Sequence, residues 1–396
     1  MSSGEDHRKR PVYRDTNLQI IFAVTLMVVL GVSSIAPAFL EISRGLKIDE
    51  KDVGLLITVF TIPGVILTPI LGVAADRYGR KKVLVPSLFL FGITGFLCGF
   101  ARDLDLLLLL RFLQGVGAAS LGSLNITIIG DLYSGRERAA AMGYNASVLS
   151  IGTASYPFIG GALAELEWYY PFFLPIIAIP IGLAALFYLK SPEPRNEEQL
   201  REYLIAAWQS IKKRKVVGLY TASIFTFIIL YGSYLTFFPI LVGKRFDASP
   251  LIIGLVMSSM SLSTAITSSQ LGRLVQTFSE VTLLKIAYVI YTVTLIAIPF
   301  APSIWIILIP ALLLGVAQGT NIPNIYTLLA GLAPTEHRAA FMSINGMVLR
   351  IGQTIGPFLM GLIYVASGEL LGPVFYAGAV FAVAMFVLVH LMVSDQ

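Results

Sequence analysis

The stretch RAAAMGYNASVLSIGTASYPFIGG, residues 138–161, returns 200 positions later as RAAFMSINGMVLRIGQTIGPFLMG, residues 338–361. Twelve of the 24 aligned positions are identical, including a proline-phenylalanine pair and the final glycine. The segments around both copies are too apolar for a soluble protein. The chain is therefore predicted to contain two copies of one membrane bundle, an architecture that transporters use to alternate access to a midplane site.

The composition is that of an integral membrane protein. Of 396 residues 56% are hydrophobic and 13% are charged, whereas about 25% charged is typical of soluble domains. A spanning helix needs roughly 20 apolar residues, and the sequence predicts an all-α fold of two pseudo-symmetric six-helix bundles. The twelve predicted spans are residues 18–40, 53–75, 83–101, 106–130, 139–164, 168–189, 216–240, 250–271, 282–301, 303–330, 339–366 and 371–392.

Polarity divides the chain into four parts: a tail (1–17), an N-terminal bundle (18–189), a linker (190–215) and a C-terminal bundle (216–396). We expect the first span itself to direct insertion, since no cleavable signal precedes it. The linker predicts an amphipathic interfacial helix, because its apolar residues recur at three- and four-residue spacing: Leu200, Leu204, Ala207, Trp208 and Ile211. Its simplest role is a tether between the bundles.

Lysine and arginine counts predict the orientation. With a cytoplasmic N-terminus, the cytoplasmic segments carry 20 of these residues and the outer loops carry 6, which satisfies the positive-inside rule. Both termini are then cytoplasmic in a multi-pass plasma-membrane protein. The net charge of +5 fits contact with anionic lipid rather than nucleic acid.

The sequence offers no enzyme motif and predicts no metal site or cofactor. Cys98 is the single cysteine, so no internal disulfide and no cysteine-based metal site can form. His7, His337 and His390 are too dispersed for a zinc site or a catalytic triad.

The loop after the second span reads GVAADRYGRKK, residues 72–82. Gly72 lets another helix approach closely, Asp76 can face a helix N-terminus, and Gly79 permits a tight turn. This segment resembles the loop signature of the major facilitator superfamily. In that family the loop latches the cytoplasmic ends of the two halves in one conformation.

That resemblance extends to Asp131, at the end of span four, as a partner of Arg80, with Arg138 as a further member of the gate. The corresponding loop of the second half, residues 272–276, lacks the acid and most of the basic cluster. We therefore expect an asymmetric latch that holds the cytoplasmic side closed in the outward-facing state.

Span four contains LRFLQGVGAA, residues 110–119, which resembles a second signature of the superfamily. One stripe of the helix is small and polar: Arg111, Gly115, Ala118, Gly122 and Asn125. A charge inside a span is by default a functional hypothesis. The alternative is that Arg111 snorkels or ties two helices together.

Span five contains GTASYPFIGG, residues 152–161, close to a third signature that marks antiporters in the family. Tyr156 stands where that signature has glycine, and span eleven supplies the glycine version, GQTIGPFLMG, residues 352–361. The predicted helix-kink residues are Gly152, Pro157, Gly160, Gly161, Gly352, Gly356, Pro357 and Gly361. A packing kink without directional meaning is the alternative.

Arg350 is the second charge inside a span. It shares a small polar stripe with Ser343, Gly346 and Thr354, and its counterpart in the first half is Ser150. No Asp or Glu lies at mid-depth in any predicted span. We therefore expect an electropositive cavity that suits a carboxylate, a phosphate or a hydroxyl-rich compound better than a cation.

Spans one, four, seven and ten line the cavity in the superfamily. The resemblance therefore implies further cavity residues: Asn125, Tyr231, Tyr234, Gln318 and Asn321. Asn145 and Asn345 are symmetric in the repeat and are predicted to belong to the scaffold.

Together these features predict a twelve-span secondary transporter, similar to the drug and metabolite efflux branch of the superfamily, in which the two halves rock about a midplane site. Its expected partners are a small-molecule substrate, protons and the lipid bilayer, and the composition is compatible with a monomer. The alternatives are a carrier of organic anions or sugars, and a membrane receptor or lipid scramblase without coupled transport.

Overall fold

The computed structural model describes residues 12–190, 213–332 and 338–394, with the side chains of 338–343 left out. The described part is helical and contains twelve helices long and apolar enough to cross a membrane. They are α1 (Thr16–Leu46), α2 (Glu50–Tyr78), α3 (Arg80–Cys98), α4 (Leu104–Leu132), α5 (Gly135–Leu166), α6 (Tyr170–Tyr188), α7 (Arg214–Phe246), α8 (Pro250–Thr277), α9 (Glu280–Phe300), α10 (Ile304–Leu332), α11 (Arg338–Ala366) and α12 (Leu371–Met392). All twelve predicted spans are confirmed. The predicted linker helix falls on residues that the structure does not describe.

Several helices depart from regular α-geometry: α6 begins with the 3₁₀ stretch Tyr170–Ile177 and α9 ends with Ile298–Phe300. In α1 a short 3₁₀ segment, Ala36–Ala38, contains Pro37, which has no amide hydrogen to donate to the helix. In α7 a π-helical stretch runs over Ile229–Phe237. π-Helical turns are rare and occur mainly at functional sites.

The backbone reproduces the repeat that the sequence shows. Lys47 and Asp247, 200 positions apart, both have left-handed backbone conformations, with φ of 55° and 48°. Each ends the first helix of its half. Gly115 and Gly315 likewise pack against the carbonyl groups of Phe60 and Met260, again 200 positions apart. The C-terminal half (α7–α12) therefore repeats the N-terminal half (α1–α6).

We name the two ends of the bundle by their loops. The basic face is the end where α1 begins and α12 ends; it carries residues 76–82 and 131–138. The opposite face carries the ends of α1 and α7 at Leu46 and Phe246. The termini of the described helices thus assign each loop to one face, independently of which side of a membrane that face occupies.

On the opposite face the halves meet along two seams, α5 with α8 and α2 with α11. In the first seam, a Cβ on Gly161 or Gly254 would overlap the carbonyl oxygen of Pro250 or Pro157. In the second, the equivalent Cβ on Gly54 would lie 3.3 Å from the Pro357 and Thr236 side chains and 3.4 Å from the Pro357 oxygen, and that on Gly361 would lie 3.5 Å from the Lys51 oxygen, without overlap. The first seam is the tighter of the two.

Toward the basic face the halves diverge. Among the described residues, a Cβ built on any of several glycines there would have no neighbour within 4 Å: Gly72, Gly130, Gly143, Gly272, Gly331 and Gly346. The described structure is therefore closed at the opposite face and open at the basic face.

Candidate functional site

The Arg350 side chain lies where the α2–α11 seam meets the open part of the bundle. It packs on Gly64 of α2, where a Cβ would lie 2.8 Å from the arginine Cδ and would also overlap the guanidinium. Within the described residues the guanidinium has no hydrogen bond or ion pair, although it interacts electrostatically with Tyr231. A cation at this depth without an acidic partner can accept an anionic group from a ligand.

Threonines close the seam on the opposite-face side of Arg350. Thr354 Oγ1 donates to Thr61 Oγ1 over 2.9 Å, and Thr58 Oγ1 donates to the Thr354 carbonyl over 3.1 Å. Because Thr354 is one helical turn beyond Arg350, the guanidinium lies next to the point at which the two halves come together.

Tyr231 and Tyr234 both lie in the π-helical stretch of α7. Tyr231 is half-buried, and its ring centroid lies 6.1 Å from that of Phe227. Tyr234 is buried, and its hydroxyl donates to the Met257 carbonyl of α8 over 3.3 Å. Tyr231 thus lies within electrostatic range of Arg350, whereas Tyr234 joins two helices of one half.

Arg111 is enclosed within the N-terminal half. Its side chain is 1% exposed, Nε donates to the Leu56 carbonyl over 3.1 Å, and Nη1 donates to Gln114 Oε1 over 2.7 Å. The guanidinium also lies 4.2 Å from the Phe60 ring centroid. These contacts join α4 to α2. They correspond to the alternative in which Arg111 ties two helices together. Nη2 has no partner within the described residues.

Asn125 belongs to a polar chain inside the N-terminal half. Its Nδ2 donates to Thr25 Oγ1 of α1 over 2.5 Å, and that hydroxyl donates to Asn145 Oδ1 of α5 over 2.5 Å. One threonine therefore joins α4 and α5 to α1. The repeat places Phe225 at the position of Thr25, so this bridge belongs to the first half only.

The corresponding part of the C-terminal half has a different polar network. Thr226 Oγ1 donates to Asn321 Oδ1 over 3.1 Å and lies 3.0 Å from the Tyr288 hydroxyl. Gln318 Oε1 accepts a longer bond, 3.5 Å, from Thr264. Nearby helices α10 and α11 carry buried amide atoms without partners in the described part of the chain: Asn321 Nδ2, Asn324 Oδ1 and Nδ2, and Asn345 Oδ1. Buried amides of this kind are suited to ordered water.

The predicted gate residues Asp76, Arg80 and Asp131 do meet. Arg80 Nη1 donates to Asp76, and Nε donates to Asp131 Oδ2 over 3.0 Å. Gly79 has a φ of 108°, which lets α2 turn directly into α3. All these contacts join α2, α3 and α4, so in this conformation the cluster holds one half together.

Two other gate residues are placed differently from the prediction. The close helix approach expected at Gly72 is absent from this conformation, because a Cβ there has no neighbour within 4 Å. Arg138 Nε donates to the Tyr133 carbonyl over 3.2 Å, and the described residues show no ion pair between Arg138 and the other gate members. Burial of the Tyr133 phenol raises its pKa, and the nearby Asp15 carboxylate raises it further. The phenol therefore stays neutral.

The helix-kink residues bring backbones together, while α5 and α11 themselves continue through Pro157 and Pro357 without interruption. Gly160 packs against the Ser34 carbonyl of α1. In α11 the close approach to α7 occurs at other repeat positions than in α5: Gly352 packs against the Ile224 carbonyl, and Gly356 packs against Ile228. Gly152 meets only side chains, those of Leu26 and Val29.

Sequence reasoning missed a polar cluster between the halves, and also a contact in which Glu165 of α5 accepts a hydrogen bond from the Leu251 amide of α8 over 3.3 Å. Glu50, at the start of α2, pairs with Lys244 of α7 and accepts a hydrogen bond from Tyr364 of α11. Its partners are about 194 and 314 residues away, and Glu50 precedes the predicted start of its span. No short motif could therefore have indicated the group.

Comparison with known proteins agrees with this architecture. The profile of the Major Facilitator Superfamily matches residues 21–249 and 224–395. Multidrug resistance protein 1 of Bacillus subtilis (strain 168) is 26% identical over 358 residues, which cover 89% of this chain and 90% of that protein. Quinolone resistance protein NorA of Staphylococcus aureus is 22% identical over 352 residues, covering 87% and 89%. The crystal structure of a bacterial homolog of the human lysosomal transporter Spinster aligns over 97% of both chains, with a TM-score of 0.77 and 18% identity.

Proposed function

Because the chain belongs to the Major Facilitator Superfamily, we propose that it is a secondary active exporter of small amphiphilic compounds, driven by the entry of protons. The family assignment makes it a membrane transporter. The names of the multidrug and quinolone resistance relatives support export, since they match this chain over nearly its whole length.

One structural observation carries the transport mechanism. The halves close against each other at the opposite face through glycines and prolines that recur 200 residues apart, and they diverge at the basic face. A duplicated bundle closed at one end is suited to rocking about a central site. We place the basic face, and with it both termini, in the cytoplasm of a plasma-membrane protein, because 20 of the 28 lysines and arginines belong to that side. The described state then faces inward.

In this cycle Arg350 and Tyr231 meet the substrate at the closed end of the cleft. Gly64 leaves room for the guanidinium, and the aromatic ring of Tyr231 offers an apolar surface beside it. Asp76, Arg80 and Asp131 keep the ends of α2, α3 and α4 together as one body, which meets the other half when the basic face closes. Gln318 and Asn321 lie on α10, a second wall of the cleft.

A carrier of organic anions is the second candidate, and Arg350 is the observation that favours it. The guanidinium has no acidic partner within the described residues, and the membrane interior makes an unpaired charge costly. An anionic substrate group would supply that partner. A receptor or scramblase would need no such site and would move no solute against a gradient.

The test is proton movement in proteoliposomes that hold an imposed pH gradient. Lipophilic cations, neutral sugars and organic anions are added in turn, and the internal pH is followed. Export of amphiphiles predicts that a subset of compounds collapses the gradient only when the protein is present. Flux of every class at the rate of protein-free vesicles would refute coupled transport.

Variants of Arg350 separate the two candidates. Arg350→Ala abolishes the response to anions if the guanidinium binds them, whereas Arg350→Lys retains part of it because the charge remains. Ser150→Ala is the matched control, since Ser150 occupies the same repeat position in the other half. A cation response that survives Arg350→Ala would favour cationic amphiphiles as substrates.

A further inference from the structure

A polar cluster of Glu50, Lys244 and Tyr364 joins the two halves at the opposite face, and it contains an ion pair. Lys244 Nζ lies 2.7 Å from Glu50 Oε1, and the Tyr364 hydroxyl donates to Glu50 Oε2 over 2.8 Å. Glu50 belongs to the N-terminal half and both partners belong to the C-terminal half. We infer that this cluster, the outer latch, holds the opposite face closed and that removing either charge of the ion pair favours opening.

The surroundings of the latch favour a strong interaction. The Glu50 side chain is 14% exposed, so its charge is largely removed from water. Tyr364 is buried, and its ring packs on Phe237 of α7 with centroids 5.4 Å apart, which fixes the direction of its hydroxyl. Both carboxylate oxygens therefore have a donor. A protonated Glu50 loses its ion pair with Lys244 and one acceptor site, so the closed state depends on the ionised form.

The latch is specific to one seam. The repeat positions of Glu50, Lys244 and Tyr364 are Pro250, Arg44 and Ala164. None of these makes an equivalent bridge: Pro250 packs through its carbonyl on Gly161, and Arg44 pairs with Glu41 of its own helix. The ion pair thus occurs on the α2–α11 side, where the glycine contacts are looser. At the α5–α8 seam Glu165 accepts a hydrogen bond from the Leu251 amide over 3.3 Å, and the described residues give this carboxylate no cationic partner.

Other charged groups surround the latch and must be separated from Glu50 in any test. Asp49 pairs with Lys51 over 2.7 Å, and Glu369 acts electrostatically on Tyr364 and Lys51. Arg245 Nη1 donates to the Pro299 carbonyl. The ionisable groups near the latch on the elements packed there are Asp49, Lys51, Asp52, Lys244, Arg245, Asp247, Tyr364 and Glu369.

The inference rests on the proposed rocking of the halves. If the carrier is placed with the basic face inside, Glu50 faces the outer solution, and the latch then favours the inward-open state over the outward-open one.

Distance measurements between spin labels test the latch without any transport assay. Labels are placed at Leu106→Cys on α4 and Trp305→Cys on α10, two exposed positions at the opposite face, in a Cys98→Ala background in lipid nanodiscs. We expect one short distance in the wild type. Glu50→Gln should raise the open-to-closed ratio about tenfold, because a hydrogen-bonded charge is lost.

The matched control is Glu41→Gln. Glu41 lies on the same face and pairs with Arg44 over 2.6 Å within α1, without reaching the other half. It should leave the distances unchanged. Lys244→Met removes the other partner and should act like Glu50→Gln, which keeps the test valid if one variant folds poorly.

Wild-type distances in both Glu50→Gln and Lys244→Met would overturn the latch. An equal shift in Glu41→Gln would show an effect of surface charge and would also overturn it. A protein that fails to transport while both latch variants still change the distances counts against the proposed function and supports the latch. A protein that transports while neither latch variant changes the distances supports the proposed function and overturns the latch.

Discussion

Alanine at Gly254 should push the protein toward a state in which the opposite face is open. A Cβ at this position would overlap the Pro157 carbonyl oxygen, lie 3.0 Å from the carbonyl carbon and lie 3.3 Å from the Phe158 Cα. These are backbone atoms of α5, so no side chain can rotate away. The α5–α8 seam must widen by roughly 1 Å before the contact becomes ordinary.

The magnitude follows from the cost of overpacking, about 1–3 kcal/mol. The clash exists only while the halves are closed at the opposite face, so this cost falls on one conformation. The open-to-closed ratio should therefore rise by about 5- to 150-fold. Gly54→Ala is the internal control, because the equivalent Cβ lies 3.3 Å from Thr236 Cγ2 and 3.4 Å from the Pro357 oxygen.

Spin-label distances across the opposite face, between Leu106→Cys and Trp305→Cys, measure the ratio directly. Gly254→Ala should show a larger long-distance population than Gly54→Ala, with similar thermal denaturation midpoints for the two variants. Identical distance distributions in the two variants would refute the reasoning, because the two seams would then carry the same strain despite their different spacing.

Two further substitutions test other parts of the structure. Asp76→Asn removes one partner of Arg80, an interaction worth about 0.2–1 kcal/mol at this exposed site, and we expect faster labelling of a cysteine introduced at Gly272; an unchanged rate would argue against a gate. Arg111→Met leaves the Leu56 carbonyl and Gln114 Oε1 without a donor, at about 1–3 kcal/mol each, so it should lower the denaturation midpoint clearly more than Arg350→Met does, and equal midpoints would contradict a scaffold role for Arg111.

The large-scale fold is readable from sequence because the membrane leaves few alternatives. A hydrocarbon layer of about 30 Å selects helices of similar length, and all twelve predicted spans appear. The 200-residue repeat was equally direct, since identical residues recur at Pro157 and Pro357 and the structure places both against a glycine of the other half. The matching left-handed residues Lys47 and Asp247 could not be predicted, because neither residue type requires that conformation.

The candidate site was only partly readable. Helical spacing placed Arg111 and Arg350 on polar stripes, yet it could not say which neighbour each stripe faces. The structure answers that differently for the two residues: Arg111 reaches a carbonyl of α2 inside its own half, while Arg350 crosses to Gly64 of the other half. Periodicity within one helix contains no information about the rotation of the helix beside it.

Glu50 shows a second limit. Its span was predicted from residue 53, so the carboxylate was assigned to a loop, whereas α2 begins at Glu50 and brings it into the seam. Its importance depends on Lys244 and Tyr364, which no local pattern connects to it. Contacts between residues this far apart become visible only once the helices are packed.

The unequal seams give the molecule an asymmetry that the repeat alone lacks. Two identical seams would let the halves separate equally on both sides. Here the interlocked backbones make the α5–α8 seam the hinge. The α2–α11 seam, which polar side chains hold together, is the side that opens. Arg350 lies on this side of the protein, so in the proposed cycle a solute that passes between α2 and α11 would meet its guanidinium.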